Sequence, residues 1–163
     1  ERQRAFGRRP LHKLLGFEKG SMTSGGITPL FQGDPYRPEV TQWLFDQCLP
    51  ALTQSCLSSG YTTIVDATFL RERERQRMFV LARQQGCPIA IVACECSDFT
   101  AQERIATRMG IGTDPSEADL SVRELQKAWI EPLTTYEQDL TVRFTEKTPI
   151  SIGLERLRVL LNP

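Results

Sequence analysis

The chain has 163 residues, the length of one ordinary domain, and with 40% hydrophobic and 25% charged residues it can bury a real core. Twenty Lys and Arg balance twenty Asp and Glu, so no net field argues for DNA, an anionic membrane or a strongly charged partner. No stretch approaches the roughly 20 apolar residues that cross a bilayer, and no signal-peptide pattern follows the basic start, so a cytoplasmic protein is expected.

Residues 1–38 read as a helix stub over 1–6 followed by a long loop at 20–38, of a length that is usually functional or mobile. His12, the sole histidine, stands in this basic stretch and is expected at the surface; Ser-His-Asp and Cys-His catalysis are excluded unless it is itself the base. Gly20 and Gly25 have Walker A spacing. Gly26-Ile27, however, occupies the place of the required Lys and hydroxyl residue, and no strand precedes it, so it makes no phosphate cradle.

Arg37-Pro38-Glu39 opens an amphipathic helix with Val40, Trp43, Leu44 and Cys48 on one face. Pro50 must kink or divide it, because proline lacks the amide hydrogen and clashes one turn back. The pattern resumes through Leu52, Cys56 and Leu57 to a Gly60 cap. A β-branched strand at 61–66 precedes a helix at 70–85 that stops at Gly86, and 88–94 is a second, nearly all-apolar strand. Such runs belong to parallel strands covered on both faces.

A helix over 101–109 leads into a glycine-bearing lid loop at 110–116. Asp114-Pro115-Ser116-Glu117 then reads as a helix start running to Trp129. A last strand at 141–145 and a helix at 152–161, with Leu154, Leu157, Leu160 and Leu161 facing inward, complete the chain. The alternation predicts a single three-layer α/β/α domain over 1–163, with right-handed crossovers between parallel strands.

Asp66 ends the first apolar strand, where open α/β sheets bind ligands, and could hold magnesium through water or orient a phosphate-bearing substrate. Spacing alone leaves open a second role, capping the next helix. The run 71–77 reads as a solvated helix face with Glu72–Arg75 and Glu74–Arg77 pairs. Arg71 and Arg73 lie in the first turn, where the helix dipole disfavours cations unless an anion binds, so both are substrate-phosphate candidates. Arg104 and Arg108 project from one helix face and would repel without an anion between them. The five cysteines, Cys48, Cys56, Cys87, Cys94 and Cys96, are expected as buried, reduced thiols; Cys94 and Cys96 would point to the same face of a strand, two ligands short of a zinc site.

Three segments together carry a resemblance: Gly60-Tyr61-Thr62-Thr63-Ile64-Val65-Asp66-Ala67-Thr68-Phe69-Leu70, then Arg104-Ile105-Ala106-Thr107-Arg108 with Asp114-Pro115-Ser116-Glu117-Ala118, then Glu131-Pro132-Leu133. They resemble the P-loop kinases of AAA type related to zeta toxins and polynucleotide kinases, often fused behind an aminoglycoside-phosphotransferase-like domain. The resemblance implies a kinase using ATP and Mg2+ to phosphorylate a small-molecule or nucleic-acid hydroxyl. It places Asp66 near nucleotide and metal, Arg104 and Arg108 on ATP phosphates, and Tyr36 at the start of the helix bordering the acceptor site. The residues at 1–4 resemble those following an Arg-Ser-Asp motif, so the first strand, the P-loop and the acceptor aspartate are expected to be missing from this chain and its activity to fail without them. The alternative is a non-catalytic α/β module for interaction or self-association, as a homodimer. A nucleic-acid-binding module is disfavoured by the absence of a basic stripe.

Overall fold

The computed structural model describes residues 4–7, 38–111 and 120–162, and the chain divides into two compact units, Glu1–Phe69 and Leu70–Pro163. The α/β class and parallel pairing expected from the sequence are both present.

In the first unit, strand β1 (Arg4–Gly7) pairs in parallel with β2 (Thr63–Asp66), in a register that sets Gly7 opposite Asp66. The expected helix stub is therefore a strand. An extended segment at 4–7 pairs with one edge of β2 over the whole length of that strand and satisfies the backbone groups there.

Helix α1 (Pro38–Trp43) passes into a π-helical turn, Leu44–Cys48, and then into α2 (Leu49–Ser58). Pro50 explains the turn, since it has no N–H for the carbonyl four residues back. Leu49 instead donates to the Leu44 carbonyl five residues back. The expected division at Pro50 thus occurs as a widened turn. Val40, Leu44, Phe45, Leu49 and Cys56 are buried, and α2 packs on β1 and β2. At its end Gly60, with φ +77°, donates to Leu57 and Tyr61 donates to Cys56. This left-handed cap turns the chain into β2.

The second unit starts with α3 (Glu72–Gln84), closed by the same device: Gly86, with φ +62°, donates to Arg83, and Cys87 donates to Ala82. Strand β3 (Ile91–Cys94) pairs in parallel with β4 (Thr141–Phe144). Between them lie α4 (Asp98–Ile111), α5 (Leu120–Lys127) and a short α6 (Thr135–Asp139) that periodicity did not reveal. Helix α7 (Ile150–Leu161) returns against β4.

Gly153 is buried in that contact, and the Phe144 ring fills the volume its missing Cβ would occupy. This close approach sets which face of α7 turns inward, so Leu154 is exposed, contrary to expectation, while Leu157, Leu160 and Leu161 are half-buried. The strand faces also depart from the expected double cover: Ile64 and Val92 are about half exposed. The core of this unit gathers Met78, Phe79, Leu81, Ala82 and Val142.

Candidate functional site

Asp66 stands at the carboxyl end of β2 with its side chain exposed, the position from which α/β sheets reach their ligands. Three residues on, Phe69 adopts φ +43°, a left-handed conformation uncommon for a bulky residue, and its ring meets Phe45 edge-on with centroids 5.3 Å apart. The connection after Asp66 is thus fixed by an aromatic anchor, with strain of the kind that clusters at functional sites.

The start of α3 differs from an open anion site. Glu131 Oε2 accepts the Glu72 N–H at 2.6 Å, and Glu74 Oε2 accepts the Arg71 N–H at 3.3 Å. Two carboxylates of the chain itself thereby supply the negative charge the helix dipole favours. Burial raises the pKa of Glu74 above the ordinary carboxylate value, against the lowering pull of the Arg71 N–H and of the Arg71 and Arg73 charges. The Arg71 guanidinium lies over the Trp129 ring, 5.4 Å from its centroid, and Arg73 is exposed.

Arg75 overturns the reading of 71–77 as one solvated face. Its guanidinium is buried: Nε and Nη2 donate to the two carboxylate oxygens of Glu137 at 2.8 and 3.1 Å, Nη1 donates to the Leu70 and Glu131 carbonyls at 3.3 Å each, and Nη2 donates to the Pro132 carbonyl at 3.0 Å. All five N–H donors of an arginine are thus used. Glu137, fully buried, also accepts the Thr134 N–H at 2.8 Å while its own N–H donates to Thr134 Oγ1, a capping box that starts α6. Burial pushes the Glu137 pKa up, but hydrogen bonds from Arg75 and the Thr134 backbone outweigh it and hold the carboxyl below its ordinary value. The clamp fixes the segment whose Glu131 caps α3. Thr134 three residues before Glu137 was the sequence signal for it; nothing in the sequence marked Arg75 among its neighbours.

Arg104 and Arg108 lie on α4 as the spacing required. The Arg104 guanidinium is exposed and 3.7 Å from Glu146; Arg108 is half-buried. Ser97 Oγ accepts the Thr100 N–H and caps this helix. Asp98 in its first turn binds Arg123 and Lys127 of α5, and these hydrogen bonds lower its pKa. Asp66 belongs to the first unit and the arginines to the second. Tyr36, His12, Gly20, Gly25, most of the 20–38 loop and positions 112–116 of the lid loop lie outside the described residues.

A family model described as an AAA domain matches residues 12–133. The chain belongs to the AAA domain family. This is a P-loop, kinase-like family, and membership carries nucleotide binding and kinase-like activity in general. No curated protein and no solved structure matches the chain significantly. The matched part of the AAA domain contains Asp66, Arg71, Arg73, Arg104 and Arg108, and it ends before α6, β4 and α7.

Among the described residues, no group of three or more His, Cys, Asp and Glu could hold a metal by protein ligands alone, and no helix is long and apolar enough to cross a membrane. Magnesium characteristically takes one or two carboxylates and completes its shell with water and phosphate oxygens, a mode that the exposed Asp66 fits. The exposed guanidinium of Arg104 likewise fits an anionic ligand, which would replace its long contact to Glu146.

Proposed function

We propose that this AAA domain serves an ATP-dependent phosphotransferase whose acceptor is a hydroxyl of a small molecule or nucleic acid. Arg104 and Arg108 contact the ATP phosphates, and Asp66 orients Mg2+ or substrate. Arg71, Arg73 and Tyr36 border the acceptor, and residues 110–116 form a lid. Mg2+, when bound, neutralises charge on the transferred phosphoryl group. The two arginines add fixed positive charge to the same group, so catalysis rests on positioning and charge rather than on a protein nucleophile.

The observation that supports this reading most is the exposed Asp66 at the carboxyl end of a parallel strand within the family match. Calorimetric titration with ATP and Mg2+ tests it. A guanidinium–phosphate bond contributes about 1.5–3 kcal/mol, so Arg104→Ala and Arg108→Ala should each weaken binding about tenfold or more. Unchanged affinity in both variants would overturn the reading. It would favour instead a self-association module, which the exposed Ile150 and Val159 of α7 support and sedimentation would detect.

A further inference from the structure

Phe144 ends β4, and its carbonyl accepts the Glu95 N–H at 2.8 Å, so β3 and β4 reach the carboxyl end of their sheet together. Ligands of open α/β sheets approach from that end. It is open to solvent: Cys94 and Cys96, expected as buried thiols, are both exposed there, whereas Cys56 is buried and Cys48 and Cys87 are half-buried. Glu146 stands two residues beyond β4, outside the residues that the family model matches. A dense set of hydrogen bonds closes the turn that carries it. The Thr145 N–H donates to Thr148 Oγ1 at 3.0 Å, and the Thr148 N–H donates to the Thr145 carbonyl at 3.1 Å. The Lys147 N–H donates to Thr145 Oγ1 at 3.3 Å, and the two threonine hydroxyls share a bond of 2.9 Å. With its backbone held, Glu146 moves its carboxylate only through its own side-chain torsions. That carboxylate lies on Arg104, with Oε1 3.7 Å from Nη2.

We propose that Glu146 is an internal counter-ion for Arg104, an autoinhibitory contact that the phosphates of ATP must displace. The inference rests on the phosphate role proposed above for Arg104 and Arg108. Those two residues lie one turn apart on α4 and repel each other unless an anion lies between them. Before nucleotide arrives, the Glu146 carboxylate offsets part of that repulsion. A phosphate oxygen at hydrogen-bond distance holds a guanidinium more strongly than a carboxylate 3.7 Å away, so the nucleotide prevails over a standing competitor. Once displaced, the Glu146 charge remains tethered by its turn and repels the phosphates that replaced it. Both effects lower affinity, and because both partners are exposed, the restraint is small and sensitive to ionic strength.

Calorimetric titration with ATP and Mg2+ of four full-length chains tests this: the parent, Glu146→Gln, Arg104→Ala and the double variant. Glu146→Gln keeps the size of an exposed side chain while removing its charge. It should tighten ATP binding by about 1.5- to 5-fold, the range to which an exposed ion pair converts, and the gain should shrink as salt is added. In the Arg104→Ala background the same substitution should give a smaller gain, and the difference between backgrounds measures the coupling. An equal gain in both backgrounds, or no gain with Arg104 present, would overturn the inference while leaving the phosphate role of Arg104 intact, which Arg104→Ala alone reports. Absence of binding in both the parent and Glu146→Gln, or an Arg104→Ala affinity equal to the parent's, would overturn that role and the inference together.

Discussion

The second unit contains two acid–base clusters of similar composition and opposite circumstance. Around Glu137, one arginine and one carboxylate are both buried, and every donor of the arginine has an acceptor. Around Asp98, one carboxylate, Arg123 and Lys127 meet at the surface with Glu124 beside them. In the buried cluster desolvation opposes ionisation and hydrogen bonds must overcome it; at the surface solvent screens the charges and the pairing contributes little. The difference shows that a charge pair's importance lies in what its loss would leave behind.

Breaking the buried cluster should have the largest effect. Arg75→Ala strands the Glu137 carboxylate and frees three carbonyls, and loss of one partner of a buried pair costs about 3–5 kcal/mol. Chemical denaturation should show it directly, and the Glu72 amide, capped through the same segment, should exchange faster with solvent. The pH dependence gives an independent reading. Because the folded-state pKa of Glu137 is depressed, its contribution is present above the ordinary glutamate value and is lost as pH falls through the depressed one. Glu137→Gln should flatten that acid limb. A variant as stable as the parent at neutral pH and equally acid-sensitive would remove the distinction between the clusters.

A buried position without charge sharpens the comparison. Helix propensity alone makes Gly153→Ala stabilising by about 1 kcal/mol, whereas overpacking costs about 1–3 kcal/mol. The Phe144 ring occupies the space, so packing should win and the variant should be less stable. Combining it with Phe144→Leu should recover part of the loss, a coupling that a double-mutant cycle measures. Gly86→Ala isolates backbone strain by contrast, because no atom would meet the new Cβ and only its φ of +62° opposes the change. Its cost should be about 1 kcal/mol, and truncating neighbouring side chains should not relieve it.

These residues also mark the limit of what the sequence displays. The caps at Gly60 and Gly86 and the effect of Pro50 follow from local rules, because each depends on residues within about one turn of the chain. Asp66 could be placed at a strand end for the same reason. Arg75 could not be told from Arg71 or Arg77, since its partners Glu131, Pro132 and Glu137 lie 56 to 62 positions away; nor could Gly153 be matched to Phe144, which depends on how two elements meet. The Glu131 carboxylate at the start of α3 is invisible to a local pattern for the same reason, since it lies 59 positions from the Glu72 N–H that it caps.

The smallest effect belongs to the surface cluster. Asp98→Asn keeps the size of the side chain and its place in the first turn of α4 while removing the charge that Arg123 and Lys127 share. Hydrogen bonds from these two residues lower the Asp98 pKa, so any stability it gives is present above the ordinary aspartate value and is lost as pH falls through the lowered one. Solvent screening keeps that contribution small, and salt diminishes it further. Asp98→Asn should therefore shift the denaturation midpoint slightly at low ionic strength and hardly at all at high ionic strength, whereas the Arg75→Ala loss should persist in both. A salt-insensitive Asp98→Asn loss comparable to that of Arg75→Ala would mean that the α4–α5 cluster organises the unit as firmly as the buried clamp does.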